Sequence, residues 1–353
     1  MTLTAPSTDR LTAHVDHLAE GIRDRQPTST LESSIDYAAA HLRREGWVVH
    51  EQPINRRNLL TFNDAGRTSP SPLAVFRRHI TGRNLLAVRP GQTGPFTVVG
   101  AHIDSVSKSP GADDNASAVA AVLELGTILP KETAESVCLA LFDMEEIGLF
   151  GSKEATKHPL LRDNTRAMIC LEMLGYYNSE PDTQRLPIGG NLAFKSLAQE
   201  IAKNENRGDF ALVIHRDSSA DLARRWSTAA IESGLPALTL RDPRRDGLAG
   251  ILTTYAVPPL SNLDRSDHSP FWHAGIPSIM ITDTGNLRNP HYHLPSDLPA
   301  TLNFQQIARA TNATARTLVD LASIFTRTTN RASRAQTSRA QTSPPAVQAL
   351  GER

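Results

Sequence analysis

The chain has 353 residues, and its 37 Lys and Arg side chains balance 37 Asp and Glu side chains, so its formal net charge is zero. This length is enough for one large domain or two modest ones with a sizeable core. The charge balance argues against a nucleic-acid or anionic-membrane partner, because both bind concentrated basic surfaces. A run of about 18 apolar residues, the length that spans a membrane, does not occur.

Two features bear on the compartment in which the chain folds. Residues 1–21 lack the apolar centre of a secretory signal, so we expect a cytoplasmic protein. Cys138 and Cys170 are the two cysteines, and each lies inside an apolar, strand-like run. We therefore expect both to be reduced core residues rather than a disulfide.

The predicted elements alternate along most of the chain. Residues 30–45 predict a helix closed by Gly46, and apolar strands follow at 47–54, 84–90 and 95–102. Helices are then predicted at 116–129, 150–161, 193–204 and 304–325, with strands at 136–143, 167–173 and 276–282. Strands that are nearly all apolar and alternate with helices indicate an α/β sheet covered on both faces.

The pattern also predicts a domain organisation. Residues 1–29 are expected to form an N-terminal extension, and 30–325 a single domain. Within that domain, 55–83 contains several arginines and two prolines and predicts an inserted loop or hairpin. The mixture of charges, prolines and short apolar runs at 205–265 predicts the rim of a pocket. Residues 326–353 carry a direct repeat of Arg-Ala-Gln-Thr-Ser and predict a disordered tail.

Polar residues at the ends of the predicted strands are candidates for a binding site. In open α/β sheets, ligands bind at the carboxyl edge of the strands. His102 and Asp104 project to the same face at the end of one strand, so the carboxylate could accept the second ring N–H of a metal-bound imidazole. The same pair is also typical of a solvated strand end.

Asp113, Asp114 and Asn115 directly precede an alanine-rich helix. Each is a good N-cap, and the helix dipole favours a carboxylate at that position. Capping needs only one of the three, however. A carboxylate with two oxygens here could also bridge two cations.

Three glutamates follow or end the next two strands. Glu145 and Glu146 repel one another, and they fit either a solvated turn or a metal site with one as ligand and the other as general base. Glu172 lies inside an otherwise apolar strand. Burying an unpaired carboxylate is costly, so we expect Glu172 to have a partner.

Two histidine-containing segments complete the set. The first carries His291, Tyr292 and His293, and either histidine could ligate a metal. The second carries Ser-Asp-His at 266–268, where we interpret His268 as a structural residue near the site. Each of these segments is ambiguous alone.

In this order and context, the segments resemble the co-catalytic zinc exopeptidases, specifically the aminopeptidase family that also contains the glutaminyl cyclases. The resemblance covers roughly residues 30–325. It implies a catalytic domain with a three-layer α/β/α fold, in which helices cover both faces of a mostly parallel, mixed central sheet.

The resemblance also implies two co-catalytic zinc ions and their ligands. Asp114 is similar to the carboxylate that bridges both ions. His102 and Glu172 would complete one site, and Glu146 and His293 the other. Glu172 stands where many members of the family have Asp. The pattern Tyr-His-x-x-x-Asp favours His293 over the neighbouring histidine as the ligand.

Catalytic roles follow from the same resemblance. Glu145 resembles the general base, Tyr292 the phenol that stabilises the oxyanion, and Asp104 the carboxylate partner of the histidine ligand. The implied reaction is hydrolysis of the N-terminal peptide bond of peptides by a zinc-bridging hydroxide. The family also holds the peptide bond after the bridging carboxylate in the cis form, here Asp114–Asn115.

Three other functions stay open. A glutaminyl cyclase of similar fold would close an N-terminal glutamine onto its own amine with a single zinc. A carboxypeptidase would need a cationic anchor for the substrate carboxylate, which the Arg-rich segments 77–83 and 241–245 could supply. A non-catalytic binding module could retain the fold. The favoured partners are peptides with a free amino terminus, and the sequence indicates no oligomeric state.

Overall fold

The computed structural model describes residues 3–25, 29–63, 73–187, 189–256 and 258–341. Its centre is an eight-stranded sheet with the strand order β1-β2-β4-β3-β5-β8-β6-β7. The strands are β1 (Val48–Asn63), β2 (Leu73–Val88), β3 (Phe96–His102), β4 (Val137–Phe142), β5 (Thr165–Glu172), β6 (Ala211–His215), β7 (Ala237–Arg241) and β8 (Ser278–Thr282).

The sheet is mixed, with a parallel centre. The pairs β4–β3, β3–β5, β5–β8 and β6–β7 are parallel. The pairs β1–β2, β2–β4 and β8–β6 are antiparallel. The central strands therefore end at one edge, and the predicted site residues follow them there.

Alternate residues of the central strands enter two separate cores. In β5, Ile169 and Leu171 belong to one apolar cluster, whereas Met168 and Cys170 belong to the other. Successive side chains of a strand point to opposite faces of the sheet. Strands that are apolar at nearly every position therefore need helices on both faces, which is the predicted α/β/α arrangement.

The helices divide between these two faces. The first core is covered by α1 (Thr8–Leu18), α2 (Leu31–Arg44), α3 (Ala118–Ile128), α4 (Lys131–Ala134), α8 (Ala220–Glu232) and α11 (Phe304–Gln341). The second core receives side chains of α5 (Phe150–Ala155), α7 (Lys195–Lys203) and α10 (His268–His273). The short helices α6 (Gly190–Ala193) and α9 (Leu248–Ala256) lie in the connections between these elements.

The segment 205–265 differs from its prediction. It contributes β6, α8 and β7 to the sheet and its covering layer, and not only the rim of a pocket. Each of the two strands has five residues, which is too short for a clear alternation. Leu212, Ile214 and Leu240 of these strands do line a cavity, so the segment serves both purposes.

Both ends of the chain also differ from the predicted pattern. The segment expected as an extension forms α1, whose Leu11, Val15 and Leu18 are fully buried in the first core. At the other end, α11 continues past Phe325 to Gln341, because the alanines, arginines and glutamines there are good helix formers. The part of the predicted disordered tail at 342–353 lies outside the described residues.

Smaller predictions agree with the structure. Residues 55–63 and 73–83 form the antiparallel hairpin of β1 and β2, while 64–72 lie outside the described residues. Cys138 and Cys170 are buried free thiols, and burial raises the pKa of Cys138 to about 12. Across the described ranges, no helix combines the length and apolar composition needed to cross a bilayer.

Candidate active site

Two histidines approach one aspartate from opposite sides at the carboxyl edge of the sheet. His102 ends β3, and its Nε2 lies 3.1 Å from Asp114 Oδ1. The Nε2 atom of His293 lies 3.0 Å from the other oxygen, Asp114 Oδ2. All three side chains are buried. The aspartate therefore has one oxygen directed at each imidazole.

A glutamate stands beside each histidine. Glu172, the last residue of β5, places Oε1 3.5 Å from His102 Nε2. Glu146 follows β4 and places Oε2 3.5 Å from His293 Nε2. The five residues that the sequence predicts as metal ligands are thus brought together around Asp114. His102, Asp114 and Glu146 each offer one potential metal-ligand atom, and these three atoms lie within 4.8 Å of one another.

The hydrogen bond of Nδ1 indicates which nitrogen of the neutral His102 ring carries the proton. Nδ1 lies 3.0 Å from the backbone carbonyl oxygen of Asp104, which can only accept, so Nδ1 donates, and in the neutral ring that a metal would bind Nε2 keeps a lone pair. The Asp104 carboxylate lies farther away, at 3.6 Å. It accepts hydrogen bonds from the backbone amides of Glu145 at 3.1 Å and Glu146 at 3.3 Å. The carboxylate predicted to orient the imidazole therefore also holds the loop that carries the two glutamates.

Asp114 is held by a separate set of backbone contacts. Its amide and that of Asp113 donate to the buried Asp297 carboxylate at 3.2 and 2.9 Å. The Asn115 side chain donates to the Leu171 carbonyl at 3.1 Å, which ties the segment to β5. The Asp114–Asn115 peptide bond is cis, as the resemblance implies.

An N-terminal arginine that the sequence did not single out supports the same segment. Arg23 is fully buried, and its guanidinium donates to the carbonyls of Leu18, Ile103, Pro110 and Gly111 at 2.7 to 3.0 Å. Gly111 has φ +63°, and a Cβ there would lie 2.2 Å from the Asp114 carbonyl oxygen. Arg23 therefore joins α1 to the loops on either side of the site.

Ser266 and Asp267 also reach the site, from the loop before α10. The Ser266 hydroxyl donates to Glu172 Oε2 at 2.6 Å, so Glu172 has the partner that its position in an apolar strand predicts. Asp267 is fully buried, and among the described residues neither oxygen of its carboxylate has a hydrogen-bond partner of normal geometry. Burial, together with nearby carboxylates, raises the pKa of Asp267 to about 7.

The charges of the cluster suit cations. Burial and neighbouring carboxylates raise the pKa of Glu145 well above its ordinary value and that of Glu146 to about 7. Burial opposes a charged ring, yet Glu172 and Glu145 raise the pKa of His102 well above its ordinary value. Within the described part of the chain, the buried atoms His102 Nε2 and Glu146 Oε1 have no hydrogen-bond partner of normal geometry. Carboxylates that repel one another and directed ring nitrogens fit divalent metal ions.

Two cavities adjoin at this cluster. The smaller, of about 200 Å³, is lined by Asp114, Glu145, Glu146, Gly148, Leu149, Glu172, Arg265 and Tyr292. The larger, of about 310 Å³, is lined mainly by apolar side chains, among them Phe194, Leu197, Ile201, Phe210, Leu212 and Met280. Glu172, Arg265 and Tyr292 line both. The Tyr292 ring stacks on the His293 ring with 3.7 Å between centroids.

Two other histidines lie away from the cluster. His291 Nδ1 is 3.0 Å from the Ser296 hydroxyl at an exposed position. His268 is buried and hydrogen-bonds the Leu263 carbonyl at 2.8 Å. Burial lowers the pKa of His268 to about 4. His268 thus has the structural position expected of it.

The Arg-rich segments considered for carboxylate binding are engaged elsewhere. Arg83 pairs with Asp36 at 2.6 Å, and Arg241 with Asp217 at 2.7 Å. The buried Arg244 pairs with Asp242 at 2.8 Å. None of these arginines is among the described residues that line the two cavities. The anchor that a carboxypeptidase needs would therefore have to come from another residue.

Comparison with known sequences identifies the family. The model of peptidase family M28 matches residues 84–247. The uncharacterized protein YfbL of Escherichia coli K12 is 35% identical over 246 residues, which are 65% of this chain and 69% of that protein. Leucine aminopeptidase 1 of Trichophyton rubrum is 25% identical over 251 residues, and the match covers 67% of this chain and 57% of that enzyme. The chain thus spans less than two thirds of the length of that aminopeptidase.

Solved structures agree in fold. BSAP, a zinc aminopeptidase from Bacillus subtilis, has a TM-score of 0.63 at 16% identity, covering 91% of this chain and 96% of that one. Porphyromonas gingivalis glutaminyl cyclase has a TM-score of 0.60 at 18% identity, covering 90% and 99%. The fold and the cluster define an α/β protein with a candidate metal centre at the carboxyl edge of its sheet. The chain belongs to peptidase family M28.

Proposed function

We propose that the protein is a zinc aminopeptidase that hydrolyses the N-terminal peptide bond of peptides. The observation that carries the proposal is the position of Asp114 between His102 and His293, one oxygen 3.1 Å and the other 3.0 Å from a ring nitrogen. A carboxylate in this position is suited to bridge two metal ions. The relatives named as aminopeptidases support the choice of reaction.

The donor set fits two zinc ions. Imidazole nitrogen and carboxylate oxygen are proper zinc ligands, and the donor set contains neither of the two buried cysteines. His102 and Glu172 would hold one ion, and Glu146 and His293 the other, with Asp114 shared. When bound, the ions supply Lewis-acid activation of a water molecule and of the scissile carbonyl.

The protein's own side chains supply the remaining steps. Glu145 lines the smaller cavity, and we infer that it accepts a proton from the attacking water and returns it to the leaving amine. The Asp104 carboxylate holds Glu145 in place by accepting a hydrogen bond from the backbone amide of Glu145. Tyr292 lines the same cavity, and its hydroxyl would donate a hydrogen bond to the oxyanion. The negative charges of the surrounding carboxylates would attract the cationic amino terminus of a peptide substrate.

The larger cavity would bind the side chain of the N-terminal residue. It opens beside Glu172 and Tyr292, and its interior is apolar, with Phe194, Phe210 and Met280 among its walls. Its volume of about 310 Å³ accommodates a large aliphatic or aromatic side chain. Burying a charged side chain among these walls would be costly. We therefore expect a preference for substrates with N-terminal leucine, methionine or phenylalanine.

Metal content and turnover measured on the same preparations test the proposal. Wild type is expected to bind about two zinc ions per chain and to hydrolyse aminoacyl p-nitroanilides with a free amine, but not their N-acetylated forms. Glu145→Gln should keep both ions and lose activity by at least about 100-fold. His293→Ala should lose metal and activity, whereas its matched control His291→Ala should keep both, because His291 faces Ser296.

Other outcomes would redirect the assignment. One bound zinc with cyclisation of N-terminal glutamine peptides would replace the hydrolase by an acyltransferase. Hydrolysis of N-acetylated peptides from the carboxyl end would indicate a carboxypeptidase. Full metal loading without turnover of any substrate would contradict an enzymatic role.

A further inference from the structure

An arginine borders the apolar cavity that would receive the side chain of the N-terminal residue. Arg185 lines the larger cavity but not the smaller one, so it lies beside that side chain rather than at the scissile bond. Leu186 and Pro187, which follow it in the chain, line the same cavity. Arg185 is exposed, and within the described ranges no hydrogen bond or ion pair engages its guanidinium. The cationic group can therefore contact a molecule that enters the cavity.

The backbone of Arg185 is fixed from two sides. Its amide donates to the Leu287 carbonyl at 2.9 Å, and its own carbonyl accepts a hydrogen bond of 2.9 Å from Nε2 of Gln184. Gln184 is buried, and its Oε1 accepts from the Thr284 hydroxyl at 3.1 Å and from Arg288 Nε at 2.9 Å. The arginine is thus anchored at its backbone, while its side chain stays available to a ligand.

The walls and the size of the cavity favour an aromatic ring as its occupant. Phe194 and Phe210 are among the walls, and the guanidinium of Arg288 already stacks on Phe210, 4.7 Å from the ring centroid. The volume of about 310 Å³ falls within the range of pockets that enclose whole small-molecule ligands, so a leucine side chain would leave part of it unfilled. Unfilled space forfeits dispersion contacts that a larger, flat ring would make.

We propose that Arg185 makes aromatic N-terminal residues the preferred substrate class by stacking its guanidinium on the ring of the substrate. This inference rests on the proposed function, because it takes the larger cavity to hold the side chain of the residue that is removed. It narrows the apolar class that the cavity walls alone would accept. A guanidinium is planar and weakly hydrated, so it stacks readily on an aromatic face. A saturated side chain has no ring quadrupole and gains nothing from the cation.

An acidic N-terminal side chain is the competing ligand for Arg185. To reach the guanidinium, its carboxylate would have to give up water beside Leu186, Pro187 and Phe194. An aromatic ring carries no charge, so it gains the attraction of the same cation without that cost. The apolar walls around Arg185 therefore favour the ring.

Two substrates of nearly equal size that differ in aromaticity test the inference. The measured quantity is kcat/KM for phenylalanine p-nitroanilide divided by kcat/KM for cyclohexylalanine p-nitroanilide. Arg185→Leu should lower this ratio by about 3- to 30-fold relative to wild type, the range of a cation–π contact from an exposed to a desolvated position. Arg185→Lys keeps the charge but not the planar group, so it should lower the ratio by less.

A second exposed arginine controls for the loss of a surface charge. Arg78 of β2 lines neither cavity, and Arg78→Leu should leave the ratio at the wild-type value. A ratio that survives Arg185→Leu would overturn the inference. The inference would also fail if wild type preferred glutamate p-nitroanilide to the phenylalanine substrate and lost this preference in Arg185→Leu, because Arg185 would then bind a carboxylate.

A binding measurement separates this inference from the proposed reaction. Calorimetric titration of phenylalaninamide and cyclohexylalaninamide into zinc-loaded Glu145→Gln needs no turnover. Adding Arg185→Leu to that variant should lower the ratio of the two affinities by about 3-fold or more, and an unchanged ratio would overturn the inference. Failure of wild type to hydrolyse any peptide would overturn the proposed function instead, and the titration would still decide the role of Arg185.

Discussion

Ser266 donates a hydrogen bond of 2.6 Å to Glu172 Oε2, and the other oxygen of Glu172 lies 3.5 Å from His102 Nε2. The serine thus orients the carboxylate that we assign to one metal site. Removing such a supporting group typically weakens metal binding by 10- to 100-fold. We expect Ser266→Ala to raise the zinc dissociation constant by about that factor. Competition with a chromophoric chelator measures it.

A second buried serine controls for the loss of a hydroxyl. Ser278 donates to the Ile276 carbonyl at 3.0 Å, within the core and away from the cluster. Ser278→Ala should lower the free energy of unfolding by about 1 kcal/mol and leave zinc affinity unchanged. If both variants bind zinc as wild type does, Ser266 does not orient a ligand.

Arg23 is expected to be a main determinant of stability. Its guanidinium donates hydrogen bonds to four carbonyl oxygens on both sides of the site. Arg23→Ala would remove these four hydrogen bonds and open a void, so we expect the free energy of unfolding to fall by about 3–5 kcal/mol. Urea denaturation of the metal-free protein measures this change. Arg224→Ala, at an exposed position on α8, should change it by less than about 0.5 kcal/mol.

His14 makes stability depend on pH. Burial, helped by His41, lowers the pKa of His14 from its ordinary value of 6.5 to about 3. Between about pH 3 and pH 6.5, the imidazole of His14 therefore binds a proton in the unfolded chain but not in the folded chain. The contribution of His14 to the free energy of unfolding is therefore fully present above pH 6.5. It falls as the pH decreases, by at most about 1.4 kcal/mol per pH unit.

Replacing His14 should remove this dependence. We expect His14→Leu to lose less stability than wild type between pH 6.5 and 5 in urea titrations of the metal-free protein. Leu11→Ala, in the same helix and core, should lower stability by about 2–4 kcal/mol at every pH and keep the wild-type slope. A slope in His14→Leu equal to that of wild type would contradict the assignment.

Much of the fold could be predicted because its signals are local. The apolar runs at 95–102, 136–143 and 167–173 gave strands close to β3, β4 and β5. The prediction failed at β6 and β7, whose five-residue runs lack a measurable period. It also missed α1 as a core helix, because an amphipathic helix near a terminus does not indicate by itself what it packs against.

The candidate site also combines residues that the sequence could indicate with residues that it could not. The residue types that end or follow β3, β4 and β5, namely His102, Glu146 and Glu172, can be recognised from the sequence, since strand ends of a parallel sheet converge on one edge. Arg23 carried no such signal, and the sequence indicated the segment 266–268 without a contact for Ser266. Their contacts join positions that are distant along the chain, such as Arg23 with Ile103 and Ser266 with Glu172.

The sequence by itself determined which side chains are candidates for metal binding. The tertiary structure decided how they are used. It turns His293 toward Asp114 and His291 toward Ser296, and it engages Arg83 in a distant ion pair with Asp36. The physical reason is that apolar periodicity and turn residues act over a few positions, whereas the direction and partner of a polar side chain depend on elements that only the folded chain brings together.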